Sequence, residues 1–139
     1  SIEKAQELQK TNPKNIIMDI YTDWCGPCKL MDKNTFQNED VANYLNENFY
    51  SVKFNAEGND KIDFQGYEFT NPNFDPTKTR RRNSSHEFTR ALQVSAYPTV
   101  VFLDKSSNVL YKLRGFQPVP QMEFFLKYLC IWSKLIDFL

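Results

Sequence analysis

Apolar residues recur along this chain with two different periods, and the periods predict its elements. Ile2 to Lys10 reads as a short amphipathic helix that stops ahead of Asn12-Pro13. Ile16-Ile17-Met18-Asp19-Ile20-Tyr21 is an apolar run of strand length with one carboxylate inside it, and Lys29-Leu30-Met31 opens a helix-compatible stretch. Asn38 is placed to cap a second helical stretch, in which Val41, Tyr44, Leu45 and Asn48 share a face, and Tyr50 to Asn55 returns as a strand. Ser84 and Glu87 form a capping-box pattern that opens a helix through Phe88, Ala91 and Leu92, with the single histidine, His86, in its first turn. Val100 to Leu103 and Val109 to Leu113 are strands, separated by a turn-rich link short enough for an antiparallel hairpin. Gly115 ends the sheet, and a final helix follows Pro120. Parallel strands joined by helices and completed by a hairpin predict an α/β fold with a central mixed sheet flanked by helices on both faces.

The last helix, residues 121–139, carries two stripes at helical spacing. Glu123, Lys127, Cys130, Lys134 and Asp137 fall on one, and Phe125, Tyr128, Leu129, Trp132, Leu135 and Ile136 on the opposite face. Cys130 is therefore expected at solvent or a rim, outside any active site. With Phe124, Ile131, Phe138 and Leu139 added, the apolar arc is wider than one sheet face covers. The expectation is that the helix buries this surface against the body and the amino-terminal helix; a dimer interface is the alternative.

Composition narrows the picture. A chain of 139 residues with twelve Phe and seven Tyr holds one substantial core, so residues 1–139 are read as a single domain. Seventeen basic residues against seventeen acidic ones leave no net field for nucleic acid or an anionic membrane, and partners are expected to be proteins. No uninterrupted apolar stretch reaches the roughly 18 residues of a membrane span, so no membrane insertion is expected. The expected state is a monomer, with a dimer through the last helix as the alternative.

The strongest chemical signal is Trp24-Cys25-Gly26-Pro27-Cys28, between the first strand and the helix after it. Side chains at i and i+3 on a helix lie about 5 to 6 Å apart at Cβ, close enough for a disulfide that opens and closes with little backbone movement. Unpaired N–H groups and the helix dipole favour an anion at the helix start, which lowers a thiol pKa and makes Cys25 the nucleophile. Pro27 suits a first turn, Gly26 leaves the approach to the sulfur free of a side chain, and Trp24 offers an apolar face to a substrate. Asp19 is costly to bury when charged, so its pKa is expected to rise and to suit proton transfer; a solvated edge-strand acid is the alternative. An X-Pro bond at Tyr97-Pro98 pays little to be cis and would hold a loop against Cys25, where a trans proline opening a strand is the other reading.

Asp19 to Lys29, DIYTDWCGPCK, resembles the active-site segment of thioredoxins, and Tyr97-Pro98-Thr99 with Val100 to Leu103 resembles that family's cis-proline loop and following strand. The resemblance spans roughly residues 14 to 128 and implies the thioredoxin fold. Met31 to Phe36 and Val41 to Lys53 resemble the exported bacterial thiol:disulfide interchange branch. With the opening on Ser1, this implies a mature periplasmic protein whose leader has been removed; the cytoplasm is the alternative. Residues 59–83, before the helix that precedes the proline loop, depart from the family as an insertion. Phe64, Tyr67, Phe69 and Phe74 suggest that it folds partly onto the body, and Arg80-Arg81-Arg82 reads as a solvated turn rather than an acidic docking site.

The resemblance implies that Asp19 lies behind Cys28 and takes its proton, that Lys53 stands near the buried acid, and that Tyr97 and Pro98 contact an extended substrate through the backbone. A lysine snorkelling to the surface is the other reading of Lys53. The expected activity is reduction of protein disulfides by the Cys25/Cys28 dithiol, with oxidation or isomerisation as the alternative. The redox-active disulfide is the only cofactor expected, and an upstream thiol reductase would supply electrons. A module that binds a metal or a client through the cysteines is the competing class. No second Cys or His pair completes a zinc site, so no metal is expected, with a two-coordinate Cu(I) left open.

Overall fold

The computed structural model describes residues 1–136. Its four-stranded sheet has the order β2-β1-β5-β6 and is built from β1 (Asn15–Tyr21), β2 (Phe49–Asn55), β5 (Thr99–Leu103) and β6 (Val109–Arg114). β1 pairs in parallel with β2 and antiparallel with β5, and β5 and β6 form the expected hairpin, so the sheet is mixed. Both faces of the central strands are covered, which is why β1 reads as a continuous apolar run rather than an alternation. Ile16, Met18 and Ile20 point into one core with α1 (Ile2–Gln9) and α4 (Glu87–Ala91). Ile17 points into the other with α2 (Gly26–Met31), α3 (Glu39–Asn48) and α5 (Val119–Ile136). The strand period of two puts Asp19 on the Ile17 side, the side of the helix that carries the cysteines.

The local signals were of unequal value. Asn38 caps α3, its side chain accepting from the Val41 N–H at 3.2 Å, as expected. The capping box at Ser84 does not form. His86, fully buried, is the N-cap of α4 and accepts from the Phe88 N–H through Nδ1, while Glu87 reaches away to the Thr70 N–H at 2.8 Å. α5 starts at Val119, with Pro120 inside its first turn, where a missing N–H costs nothing. α2 runs into a π-helical turn, Asp32–Phe36, a feature common beside functional sites.

The face of α5 is a correction. Met122, Leu126, Leu129 and Ser133 are its buried residues, whereas Phe124, Tyr128, Ile131, Trp132, Leu135 and Ile136 are exposed, so the helix does not bury its apolar arc. Cys130 borders the buried stripe, half-buried, with its Sγ 3.7 Å from Asn48 Oδ1 of α3. Burial and the contact with Cys130 push the Tyr44 phenol up to about 12. The expectations for Asp137, Phe138 and Leu139 lie outside the described residues. No helix of the described residues is long and apolar enough to cross a membrane.

Residues 59–83 contain a second sheet that the strand signals missed. β3 (Ile62–Phe64) and β4 (Tyr67–Phe69) pair antiparallel about Gln65 and Gly66, both at positive φ, the requirement of the tight hairpin turn that matches strand twist. Phe64 and Phe69 each bring their rings to 5.1 Å from Phe88, which locks the hairpin onto the first core. The Asn71 side chain donates to Gly58 O and to Ser84 O, joining the two ends of this segment.

Candidate active site

Cys25 and Cys28 are joined as a disulfide across a Cα separation of 5.3 Å. Cys25 is itself the N-cap of α2. Its Sγ accepts the Cys28 N–H at 3.1 Å, so the sulfur occupies the place where a helix start holds an anion. Both cysteines are nearly covered, at 3% and 4% exposure. Gly26 and Pro27 beside them are exposed, and a Cβ added at Gly26 would meet no atom within 4 Å, so the approach is open there.

Asp19 is 7% exposed and its Oδ1 has no hydrogen-bond partner among the described residues. Burial pushes its carboxyl up to about 6, against the pull of the Lys53 ammonium and with a smaller push from Asp32. Asp19, Cys28, Asp32 and Lys53 line one cavity of about 140 Å³. Lys53 stands opposite Asp19 in the β1/β2 register, but its Nζ pairs with Asp32 at 3.2 Å and lies 5.0 Å from the centre of the Tyr21 ring. Lys53 therefore acts on Asp19 through its field while its head stays near the surface, which joins the two readings of this residue.

Tyr97-Pro98 is a cis peptide at the start of β5, and the Pro98 carbonyl accepts the Gly115 N–H at 2.8 Å. The Tyr97 ring meets Trp24 edge-on with centroids 6.0 Å apart, so the proline loop and the cysteine loop touch. Burial raises the Tyr97 pKa, and Glu57 adds to the rise against Ser85 and Arg82.

Sequence reasoning missed Glu57 and Arg82. Trp24 Nε1 donates to Glu57 Oε2 at 2.7 Å, and the same oxygen accepts the Asn83 N–H at 3.1 Å. The Arg82 guanidinium lies 5.0 Å from the centre of the Trp24 ring. Trp24 is thus held by Glu57, just past β2, on one side and by Arg82 on the other. No pattern local to residues 57 or 82 announces this. Asp32 was missed likewise, because it reaches Lys53 only through the turn that follows α2. Among the described residues no group of three or more His, Cys, Asp or Glu is arranged to hold a metal ion.

A model of the thioredoxin-like domain matches residues 2–129. The thiol:disulfide interchange protein DsbD of Vibrio vulnificus is 28% identical over 129 residues, covering 88% of this chain and 18% of that protein. Spermatogenesis-associated protein 20 of Rattus norvegicus is 33% identical over 61 residues, or 44% of this chain and 8% of that protein. The chain thus spans less than a fifth of either relative. A thioredoxin from Thermus thermophilus superposes with a TM-score of 0.68 at 16% identity, covering 94% of this chain and 85% of that one, a likeness of fold alone.

Proposed function

Because the chain belongs to the thioredoxin-like domain family, we propose that it is a thiol:disulfide oxidoreductase that reduces protein disulfides with its Cys25/Cys28 dithiol. The observation that carries this reading is Cys25 Sγ at the N-cap of α2, accepting a backbone N–H where a thiolate is favoured. In the reduced protein the Cys25 thiolate attacks one sulfur of the substrate disulfide. A mixed disulfide forms, and the other substrate sulfur leaves as a thiolate that takes a proton from water. Asp19, ionised above about pH 6, accepts the Cys28 proton directly or through a water in the cavity they share. Cys28 then attacks Cys25, the second substrate thiolate departs, and the Cys25–Cys28 disulfide closes. Two electrons have passed to the substrate.

An upstream thiol reductase restores the dithiol, and the backbone at Tyr97 and cis-Pro98 lies beside Trp24 to receive an extended substrate segment. One chain supplies every group in this scheme, so a monomer suffices. An exported, periplasmic site of action stays part of the proposal, supported by the resemblance of residues 31–36 and 41–53 to the exported branch.

Insulin reduction tests the scheme. Turnover is expected in the native protein and is lost in Cys25→Ser, while Cys28→Ser accumulates the mixed disulfide. A reduction potential near about −270 mV fits a reductase, and one near about −180 to −120 mV moves the assignment to an isomerase or oxidant. Insulin reduction surviving Cys25→Ser would sink the mechanism.

A further inference from the structure

The insertion builds a positively charged cleft against the disulfide loop. Residues 75–83 close on themselves through two reciprocal bonds: Asn83 Nδ2 donates to Asp75 O at 2.8 Å, and the Asp75 N–H donates to Asn83 Oδ1 at 3.0 Å. The Asn83 N–H then ties this loop to Glu57, the residue that holds Trp24. The cleft between loop and disulfide segment has a volume of about 480 Å³. Trp24 and Lys29 line one wall, and Lys78, Arg80 and Arg81 the other, with Arg82 stacked on Trp24 at the edge.

Its charges are unevenly matched. Of its two carboxylates, Glu57 is engaged by Trp24 and Asn83, and Asp23 takes the Asn55 side-chain N–H at 3.3 Å. Lys29, Lys78, Arg80, Arg81 and Arg82 form no ion pair among the described residues. Arg80 sits at a φ of +52°, so the chain turns at the centre of the cationic run while clasped at both ends. In a molecule without net charge these cations gather round one cleft, with Asp75 in the field of Lys78 and Arg81, and the Trp24 ring under Arg82, as what the loop itself sets against them.

We infer that this cleft selects protein disulfides flanked by acidic residues, the Asp or Glu side chains entering between Lys29 and the Arg80-Arg81 turn while the neighbouring cysteine meets Cys25. This rests on the oxidoreductase reading and names its substrate class. Guanidinium forks suit carboxylates, and a field of this sign raises the encounter rate of an anionic segment. The cleft adds no chemical step: bond exchange and electron flow are those of the disulfide reaction.

Two disulfide peptides of equal length, one flanked by glutamates and one by glutamines, test it. At low salt kcat/KM is expected to favour the acidic peptide by about tenfold. The ratio should fall towards one in the double variant Arg80→Asn, Arg81→Gln, which keeps a residue tolerant of positive φ at 80, and in the native protein at 0.5 M salt. A cysteine-free hexaglutamate peptide, followed by quenching of Trp24 in a Trp132→Phe background, reads the cleft without chemistry. Hexaglutamate binding without turnover of either peptide would support the cleft and sink the oxidoreductase reading. Turnover with a ratio of one, and no hexaglutamate binding, would overturn the cleft and leave that reading standing. A single-stranded oligonucleotide binding more tightly than hexaglutamate would overturn the assignment in favour of nucleic acid.

Discussion

Glu57 joins the tryptophan ahead of the disulfide to the loop that carries the arginines, through one oxygen that accepts from both. Removing that oxygen leaves the Trp24 and Asn83 N–H groups without their partner in a half-buried place. Glu57→Ala is therefore expected to cost about 1–3 kcal/mol of stability, and to free the Trp24 ring. Urea unfolding reads the first effect. Emission in a Trp132→Phe background, where Trp24 is the only tryptophan left, reads the second. An unchanged spectrum would show that Trp24 is held by Tyr97 and Arg82 instead. At this scale the sequence was informative wherever chemistry and spacing coincided. Cys25 and Cys28 declare themselves by separation, and Asp19 by being the one charge inside an apolar strand. Glu57, Arg82 and Asp32 do not, because their partners come from other elements and only the packed chain brings them together.

Strands and the α3 cap were legible because burial on both faces and a side-chain acceptor at Asn38 leave local traces. The β3/β4 hairpin was hidden, since three-residue strands about a Gln-Gly turn are too short to show a period. α5 misled for a different reason. Its apolar residues are spread so far round the helix that periodicity cannot choose the buried stripe, and the choice falls to α3 and the sheet, which take Met122, Leu126 and Leu129. This separates two substitutions on one helix. Leu129→Ala should cost about 2–5 kcal/mol, because it opens a cavity in the second core. Ile131→Glu, at a position 60% exposed, should stay within about 0.5 kcal/mol. Thermal unfolding of both variants checks the assignment, and a large loss at Ile131 would mean that the outer face of α5 is covered in solution.

Across the whole molecule, equal numbers of acidic and basic residues keep self-repulsion small near neutral pH, so individual shifted groups shape the pH dependence of stability. Two carboxyls are shifted, in opposite senses. Asp75 is held below the usual carboxylate value by Thr77, so its contribution is present above that value and fades only as the solution becomes more acid. Asp19 acts at higher pH. Its folded pKa of about 6 exceeds the ordinary carboxylate value of 3.8 expected of the unfolded chain, so below both values the group is protonated in either state and stability is complete. As pH rises from about 4 through about 6, the unfolded chain ionises first and draws the equilibrium towards itself. The rise from 3.8 to about 6 corresponds to about 3 kcal/mol lost across that window, with a plateau above it. Asp19→Asn cannot ionise and should abolish the slope, gaining up to about 3 kcal/mol on the parent at pH 8 and almost nothing at pH 4. Urea midpoints at the two pH values decide the matter, and a parent stability that rose between pH 4 and 6 would reverse the sign and refute it. The fold thus carries a carboxylate that is destabilising once ionised through a buried central strand, and the proposed removal of the Cys28 proton gives that burial a use, because the same burial sets Asp19 to ionise near neutrality in the cavity it shares with Cys28.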